Sequence, residues 1–534
     1  MKNYTKRFFL CILSVILIFG MISCDEASKT PSGDVTTDSN TSSPIEQNTK
    51  PVSGENTTEG NEGSETKAPE ITSGAPTVTD TTTSPETTKS PDTTSAPETT
   101  LIPETTVDPN IGMEEEDANG LVYVYLGNGE CAVKNNGYRS KLQSITIPEK
   151  SPSGYTVTVV NSMSCFSLTE EIILPQTLKA IDSYAFSMLD AVKKLVIPDS
   201  VETIGDGAFS NCSALESITF GSGIREFGIN PVSGSFALKE MTFRSGNPKF
   251  VCVNKCIIDV TTKTLKFGID GAVIPNDGSV EHIEREAFRA VRFLGKTVII
   301  PDSVKTIGQQ AFMMCSFSAV KIGSGVETIG DGAFERCAFF TEIIIPPNVK
   351  KIENCAFLKC ESLETVVLNE GLEIIESSTF ADCTKLENIN IPSTVTSFGS
   401  NVFGKCKNLV TIAIPGSIKV VQGSTFYQCS NLKYIFFMEG VEMIASNALS
   451  GCNRLEYVVI PKSMKSLGDK NFVSSKLTKI YYGGLPADKE NLGMGYNNTA
   501  LGSAEWYYYG ADKAAGLEYK YWILLDGPTA AEVP

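Results

Sequence analysis

Apolar residues recur in a fixed frame along most of the chain, from about residue 140 onward. One copy reads Leu386-x-x-Ile389-x-Ile391-Pro392, then Phe398-Gly399, then Phe403-x-x-Cys406. From Phe334 to Phe472 the phenylalanine position returns every 23 residues, with Leu449 at one step. A constant period of about 20–29 residues is typical of stacked coils, each of which buries its apolar residues only against its neighbours. The pattern therefore predicts a repeat solenoid.

The spacing within one copy predicts its local structure. Apolar residues two apart, as at Ile389 and Ile391, indicate a strand, and the following proline ends it because it lacks a backbone donor. The Ala-Phe-x-x-Cys piece predicts a short helical or 3-10 turn whose phenylalanine fills the core. We therefore expect a mainly β rod or shallow arc of about 13 coils, with strands about 4.8 Å apart. Eight cysteines share the frame, and we expect them to be small buried residues.

The Ile-Pro, Ile-Gly and Ala-Phe-x-x-Cys elements closely resemble the BspA-type leucine-rich repeat of bacterial surface proteins. The resemblance covers roughly residues 120–534, and it implies an irregular, hairpin-bearing coil at about 230–275. It also implies a role in adhesion, through binding of host matrix proteins or other cells.

The N-terminal segment predicts export. Lys2, Lys6 and Arg7 precede a short apolar run that ends at Ser23-Cys24, as in a secretory signal. This ending resembles a bacterial lipoprotein signal and implies lipidation of Cys24. Ordinary cleavage and an uncleaved anchor are the alternatives. We therefore expect an extracytoplasmic protein that is held at the bacterial cell surface by its N-terminal lipid.

Composition divides the remainder. Residues 25–117 contain 20 acids and four bases, and are rich in Thr, Ser and Pro, so they predict a disordered acidic spacer. The expected organisation is a signal peptide at 1–24, this spacer, a solenoid at 118–482 and an aromatic-rich C-terminal cap at 483–534. The spacer therefore carries most of the formal charge of −17.

Composition also excludes several functions. A net charge of −17 disfavours nucleic-acid binding, which needs a basic surface. The single histidine, His282, has no nucleophile or carboxylate arranged around it, and no phosphate-loop, HExxH or EF-hand motif occurs. We expect neither an enzyme nor a resident metal or cofactor. Cys252 and Cys256 are the best candidates for a disulfide.

Outward positions of the predicted strands provide a candidate binding surface. In the last three coils these positions carry aromatic or branched side chains, at Tyr434, Phe436, Tyr457, Val459 and Tyr481. Exposed aromatic patches mark interaction sites. Alternatively, the C-terminal tail covers them. The predicted function is a cell-surface adhesion protein that binds protein ligands. The alternatives are a carbohydrate-binding module and an envelope structural protein without a ligand.

Overall fold

A computed structural model describes residues 108–137, 142–164, 168–293 and 295–508. Over these ranges the chain winds into a β-solenoid of about 16 turns, and its two helices are each four residues long. The predicted fold class is confirmed, although the stack has more turns than the 13 expected. The predicted signal peptide, most of the spacer and residues 509–534 lie outside the described ranges.

The stack begins with an antiparallel meander that sequence patterning missed. Its strands are β1 (Glu114–Glu116), β2 (Leu121–Gly127) and β3 (Glu130–Asn135). The Tyr123 hydroxyl donates to Asp117 at 2.9 Å, and the Tyr125 hydroxyl donates to Asp108 at 2.8 Å. These acids belong to the fold, so the predicted spacer boundary at residue 117 is wrong. Ordered structure extends back at least to residue 108.

One wall of the solenoid consists of strands of two to four residues that pair in parallel. Alternating burial along strands such as Glu342–Ile345 and Thr411–Ile414 places every second side chain in the core. In chain order, these strands are β4 (Ser144–Thr146), β6 (Glu171–Ile173), β8 (Lys194–Val196), β10 (Ser217–Phe220), β12 (Glu240–Phe243), β17 (Thr297–Ile300), β19 (Ala319–Ile322), β21 (Glu342–Ile345), β23 (Thr365–Leu368), β25 (Asn388–Ile389), β27 (Thr411–Ile414), β29 (Tyr434–Phe437), β31 (Tyr457–Ile460), β33 (Lys479–Tyr482) and β35 (Glu505–Tyr508). We call this the long-strand wall.

A second wall consists mostly of two-residue strands, which we call the short-strand wall. A glycine commonly follows its strands because adjacent coils come close there. A Cβ on Gly205 would lie 2.4 Å from the backbone nitrogen of Ser183. In chain order, these strands are β5 (Thr156–Ser162), β7 (Ala180–Ile181), β9 (Thr203–Ile204), β11 (Glu226–Phe227), β16 (His282–Ile283), β18 (Thr306–Ile307), β20 (Thr328–Ile329), β22 (Lys351–Ile352), β24 (Ile374–Ile375), β26 (Ser397–Phe398), β28 (Val420–Val421), β30 (Met443–Ile444), β32 (Ser466–Leu467) and β34 (Gly493–Met494).

The third side of each coil is the predicted phenylalanine turn. Its backbone donates along the stack: the Phe334 N–H reaches the carbonyl of Ala356 in the next coil at 2.8 Å. The buried rings stack, with centroids 5.3 Å apart between Phe334 and Phe357 and 5.4 Å apart between Phe357 and Phe380. A continuous column of seven phenylalanine rings therefore runs from Phe288 to Phe426.

The frame cysteines are buried as expected, and each has a polar role as well. The Cys360 thiol donates to the carbonyl oxygen of Phe334 in the preceding coil, with sulfur and oxygen 3.2 Å apart. The same contact recurs in the other seven coils with a frame cysteine, at 2.9 to 3.2 Å. A small apolar residue with a weak donor suits this position because it also satisfies a buried carbonyl.

The irregular coil predicted at 230–275 is present and carries the strands β13 (Phe250–Val253), β14 (Cys256–Asp259) and β15 (Thr264–Gly268). These three antiparallel strands divide the hydrophobic core in two. Ile257 and Phe267 pack with the N-terminal core, whereas Ile258 and Leu265 pack with the C-terminal core. All four residues of β14 are buried, so this coil is a wall between two cores.

The disulfide expected between Cys252 and Cys256 is not formed, and both are free thiols. Cys252 pairs with Ile257, and Val253 pairs with Cys256. Directly opposed residues share a face of a hairpin, and neighbouring residues alternate. The two cysteines therefore lie on opposite faces of the hairpin, which explains why they are not joined.

The described part of the predicted C-terminal cap, residues 483–508, forms a further coil. After the helices α1 (Pro486–Lys489) and α2 (Ala500–Ser503), β35 pairs in parallel with β33. The Asn498 side chain closes the last phenylalanine turn. Its Oδ1 accepts the N–H groups of Asn471 at 2.8 Å and Phe472 at 3.3 Å, and its Nδ2 donates to the Gly468 carbonyl at 2.8 Å. The amide replaces the backbone groups of a next coil.

Charges alternate along one column beside the short-strand wall. Backbone hydrogen bonds join Glu281, Lys305, Glu327, Lys350 and Glu373 in successive coils. The Lys305 and Glu281 side chains lie 2.5 Å apart, and those of Lys350 and Glu373 lie 3.7 Å apart. Opposite charges are thus neighbours along the stack, and like charges are kept two coils apart.

Candidate functional site

Four tyrosines form a ladder on the outer face of the long-strand wall. Tyr434 stacks on Tyr457 with ring centroids 4.1 Å apart, and Tyr457 meets Tyr481 edge to face at 5.7 Å. Tyr481 then stacks on Tyr507 at 5.0 Å. We call these residues the tyrosine ladder. The first three were predicted from the alternation of strand side chains.

The structure separates the five predicted surface residues into two groups. Tyr434, Tyr457 and Tyr481 are half-buried and reach the surface. Phe436 and Val459 are only 6% and 4% exposed, so the expectation that they form an exposed patch is wrong. Val459 lies in register between Phe436 and Tyr481, and these large neighbours on adjacent strands limit access to it.

Two hydroxyls of the ladder, those of Tyr457 and Tyr507, have raised pKa values. Burial raises the pKa of the Tyr457 hydroxyl to about 12, and nearby Tyr434, Tyr481 and Glu456 act in the same direction. The Tyr507 hydroxyl donates to Glu505 at 2.7 Å, and this bond raises the pKa of Tyr507 to about 12. Tyr457 and Tyr507 therefore keep protonated hydroxyls at neutral pH, beside the apolar faces of their rings.

Two features of this face were missed at the level of sequence. Tyr507 continues the ladder because β35 adds a strand, and strand propensity in the tail would have indicated it. Exposed aliphatic side chains also occupy outward positions of the middle coils, at Ile299 (57%), Ile344 (53%) and Val367 (37%). The same alternation that identified Tyr434 applies to them. The candidate surface is thus longer than the aromatic part.

Groups capable of other chemistry are separate from this face. The Nδ1 of His282 lies 2.8 Å from the Thr306 hydroxyl on the short-strand wall. Within the described ranges, no three His, Cys, Asp or Glu side chains are grouped to hold a metal ion. Burial raises the pKa of the Cys252 thiol to about 11, which makes it a poor nucleophile at neutral pH. In the same ranges, no helix has the length and apolar character needed to cross a membrane.

The repeat, the two strand walls and the phenylalanine turns together define a leucine-rich repeat solenoid. A family model of the BspA-type leucine-rich repeat region matches six copies, at residues 135–251, 269–371 and 351–479. The chain belongs to this family. The interruption between the first two matches contains the second half of β13 and all of β14 and β15, which explains why the regular repeat is not recognised there.

Solved structures of other bacterial leucine-rich repeat proteins are similar to this chain. A leucine-rich cell surface protein from Faecalibacterium prausnitzii is 22% identical, with 71% of this chain and 97% of that one covered and a TM-score of 0.39. A leucine-rich repeat protein from Bacteroides ovatus is 20% identical, with coverage of 74% and 99% and a TM-score of 0.43. The pneumococcal vaccine antigen PcpA is 16% identical, with coverage of 75% and 100% and a TM-score of 0.40. A search of curated protein sequences gave no match.

Proposed function

We propose that this protein is a cell-surface adhesion protein whose long-strand wall binds protein ligands. The supporting observation is the tyrosine ladder, which places the half-buried rings of Tyr434, Tyr457 and Tyr481 side by side on the outer face of the solenoid. Tyrosine supplies a large contact area at low conformational cost, and it is enriched among the residues that dominate binding energy. Membership in a repeat family that presents extended surfaces agrees with this role.

The proposed binding mode combines one aromatic anchor region with a longer, weaker contact surface. The ladder would bind the ligand most strongly, because its rings already stack on each other and lose little freedom on binding. Ile344 and Val367 are adjacent in register on the same face and would add apolar contact. Display of many copies on one cell would raise the overall avidity of such contacts. No catalytic step is part of this proposal.

Replacing two ladder residues tests the binding surface. In Tyr434→Ala/Tyr457→Ala, we expect retention by immobilised matrix proteins or by neighbouring bacteria to weaken at least about 10-fold, as for loss of an interface hot spot. Retention would be measured by surface plasmon resonance and by cell pull-down with the purified chain. Tyr496→Ala is the matched control because Tyr496 is 83% exposed but lies outside the ladder. Equal retention by both variants and the unaltered chain would exclude the ladder as the binding surface.

We also propose that lipidation of Cys24 holds the protein on the outer side of the membrane. Cys24 lies outside the described ranges, so the support is the charged and apolar pattern that precedes it. In Cys24→Ala we expect loss of labelled fatty acid from the protein, because the thiol that would carry the lipid is removed. Metabolic labelling would show this loss. Cys355→Ala is the control, and labelled lipid remaining in Cys24→Ala would refute attachment at this residue.

A further inference from the structure

The tyrosine ladder ends at Tyr434 beside a step in the surface. One face of the Tyr434 ring is covered by Tyr457, whose centroid lies 4.1 Å away. The other side of Tyr434 faces β27, where Thr411 and Ala413 occupy the outward positions in register with Tyr434 and Phe436. Both side chains are small, so β27 is lower than the Tyr434 ring beside it. One ring face therefore borders an open step.

Asparagines form the far side of this step. In the preceding coil the outward positions carry Asn388 and Asn390, and both are exposed. Ile389 and Ile391 point inward instead. Ile389 is partly buried, and Ile391 is buried. The parallel sheet is interrupted here, because β25 and β27 belong to separate sheets. No described residue hydrogen-bonds to either asparagine side chain, so two amides are available to a ligand.

The step lies over β27, between Asn388 and Asn390 on one side and Tyr434 on the other. Its floor is formed by the half-buried side chains of Thr411 and Ala413. We call this space the Tyr434 notch, bounded by Tyr434, Thr411, Ala413, Asn388 and Asn390.

The lining of the notch is neutral. Outward positions of four successive strands carry no charged side chain; they are Thr365, Val367, Asn388, Asn390, Thr411, Ala413, Tyr434 and Phe436. A phosphate, a carboxylate or a guanidinium would lose water in the notch without gaining an opposite charge. An uncharged ligand is therefore favoured. It must also satisfy the asparagine amides, each of which both donates and accepts hydrogen bonds.

We propose that the Tyr434 notch binds a neutral pyranose sugar. A pyranose has an apolar face of C–H groups that can stack on the free side of the Tyr434 ring. Its hydroxyl groups both donate and accept, as do the amides of Asn388 and Asn390 and the hydroxyl of Thr411. A purely apolar aromatic side chain would fill the space but leave both amides unpaired. The site shares Tyr434 with the proposed contact with protein ligands, but its test needs no protein partner.

Saturation-transfer NMR on the purified full chain tests this site with three probes, the methyl glycosides of glucose, galactose and mannose. We expect at least one to bind saturably with a Kd of about 1 mM, as is typical of a ligand with few atoms in an open site. Glycerol, an acyclic polyol, should not bind. Tyr434→Ala should weaken binding at least about 10-fold, and Asn388→Ala/Asn390→Ala should weaken it by a similar factor.

Two matched variants separate the notch from general effects on the surface. Tyr434→Phe keeps the ring face and should bind as the unaltered chain does, and Tyr496→Ala should also leave binding unchanged. Circular dichroism and thermal unfolding would establish that each variant is folded. Saturable binding that persists in folded Tyr434→Ala would overturn the proposal, as would the absence of saturable binding for all three glycosides. Either result would leave the pull-down test of the protein-binding surface unaffected.

Discussion

Raising the pH above about 9 under reducing conditions is expected to unfold the solenoid. Burial raises the pKa of the Cys212 thiol to about 11 and that of Cys452 to about 12, and it raises the pKa of the six other frame cysteines. In the unfolded chain these thiols ionise from about pH 8.5, whereas in the folded chain they stay protonated. The stability that the protonated thiols contribute is therefore fully present below about pH 8.5. Above that pH it is lost by about 1.4 kcal/mol per thiol per pH unit.

The combined effect of eight thiols is large. By pH 10 it amounts to on the order of 10 kcal/mol, comparable to the whole stability of a typical protein. Tyr457 and Tyr507 also have raised pKa values, but an unfolded tyrosine ionises only from about pH 10. The cysteines therefore dominate between about pH 8.5 and 10. Urea unfolding measured across this interval gives the dependence directly.

Removing frame cysteines provides the control for this prediction. In Cys383→Ala/Cys406→Ala, the loss of stability with pH should be smaller by about 3 kcal/mol per pH unit. Cys355→Ala should change it less, because this thiol is only partly buried and is not in the frame. A free energy of unfolding that stays constant up to about pH 10 would contradict the assignment of the frame cysteines as protonated buried thiols.

Phe357→Ala is expected to lower the free energy of unfolding by about 3–5 kcal/mol, the range for truncating a buried phenylalanine. Phe357 is fully buried between Phe334 and Phe380, with nearly parallel rings on both sides. Truncation would open a cavity that the fixed spacing of coils prevents from collapsing. Urea unfolding at neutral pH would measure the change.

Phe339→Ala is the matched control because Phe339 is 65% exposed. We expect its free energy of unfolding to change by no more than about 0.5 kcal/mol. If both variants lost the same stability, the continuous phenylalanine column would not be the main source of cohesion between coils.

The repeat could be predicted from the sequence because each coil meets the same neighbours. The frame position that Phe357 occupies has the same surroundings in successive coils. Its 23-residue period, its burial and the position of Cys360 therefore follow from the sequence pattern alone. Strand alternation likewise placed Tyr434, Tyr457 and Tyr481 on the outer face. Local periodicity was therefore sufficient for the fold and for part of the candidate surface.

Features that depend on non-repeated contacts were not predictable in this way. Glu114–Glu116 resembles the acidic spacer, and its place in a strand depends on pairing with β2. The burial of Phe436 does not follow from the alternation along its own strand, which places it on the same face as the half-buried Tyr434. The separation of Cys252 from Cys256 depends on the register of a hairpin, which the spacing of two cysteines does not specify.

The alternating charge column restricts how many coils the chain can gain or lose at once. Deleting the single coil that contains Lys350 would bring Glu327 next to Glu373, and inserting one coil would create a similar contact between like charges. Like charges directly opposite on neighbouring strands are destabilising. Removing or adding two coils together preserves the alternation. Duplication and loss along this stretch should therefore be tolerated best in units of two coils, about 46 residues and about 10 Å of solenoid.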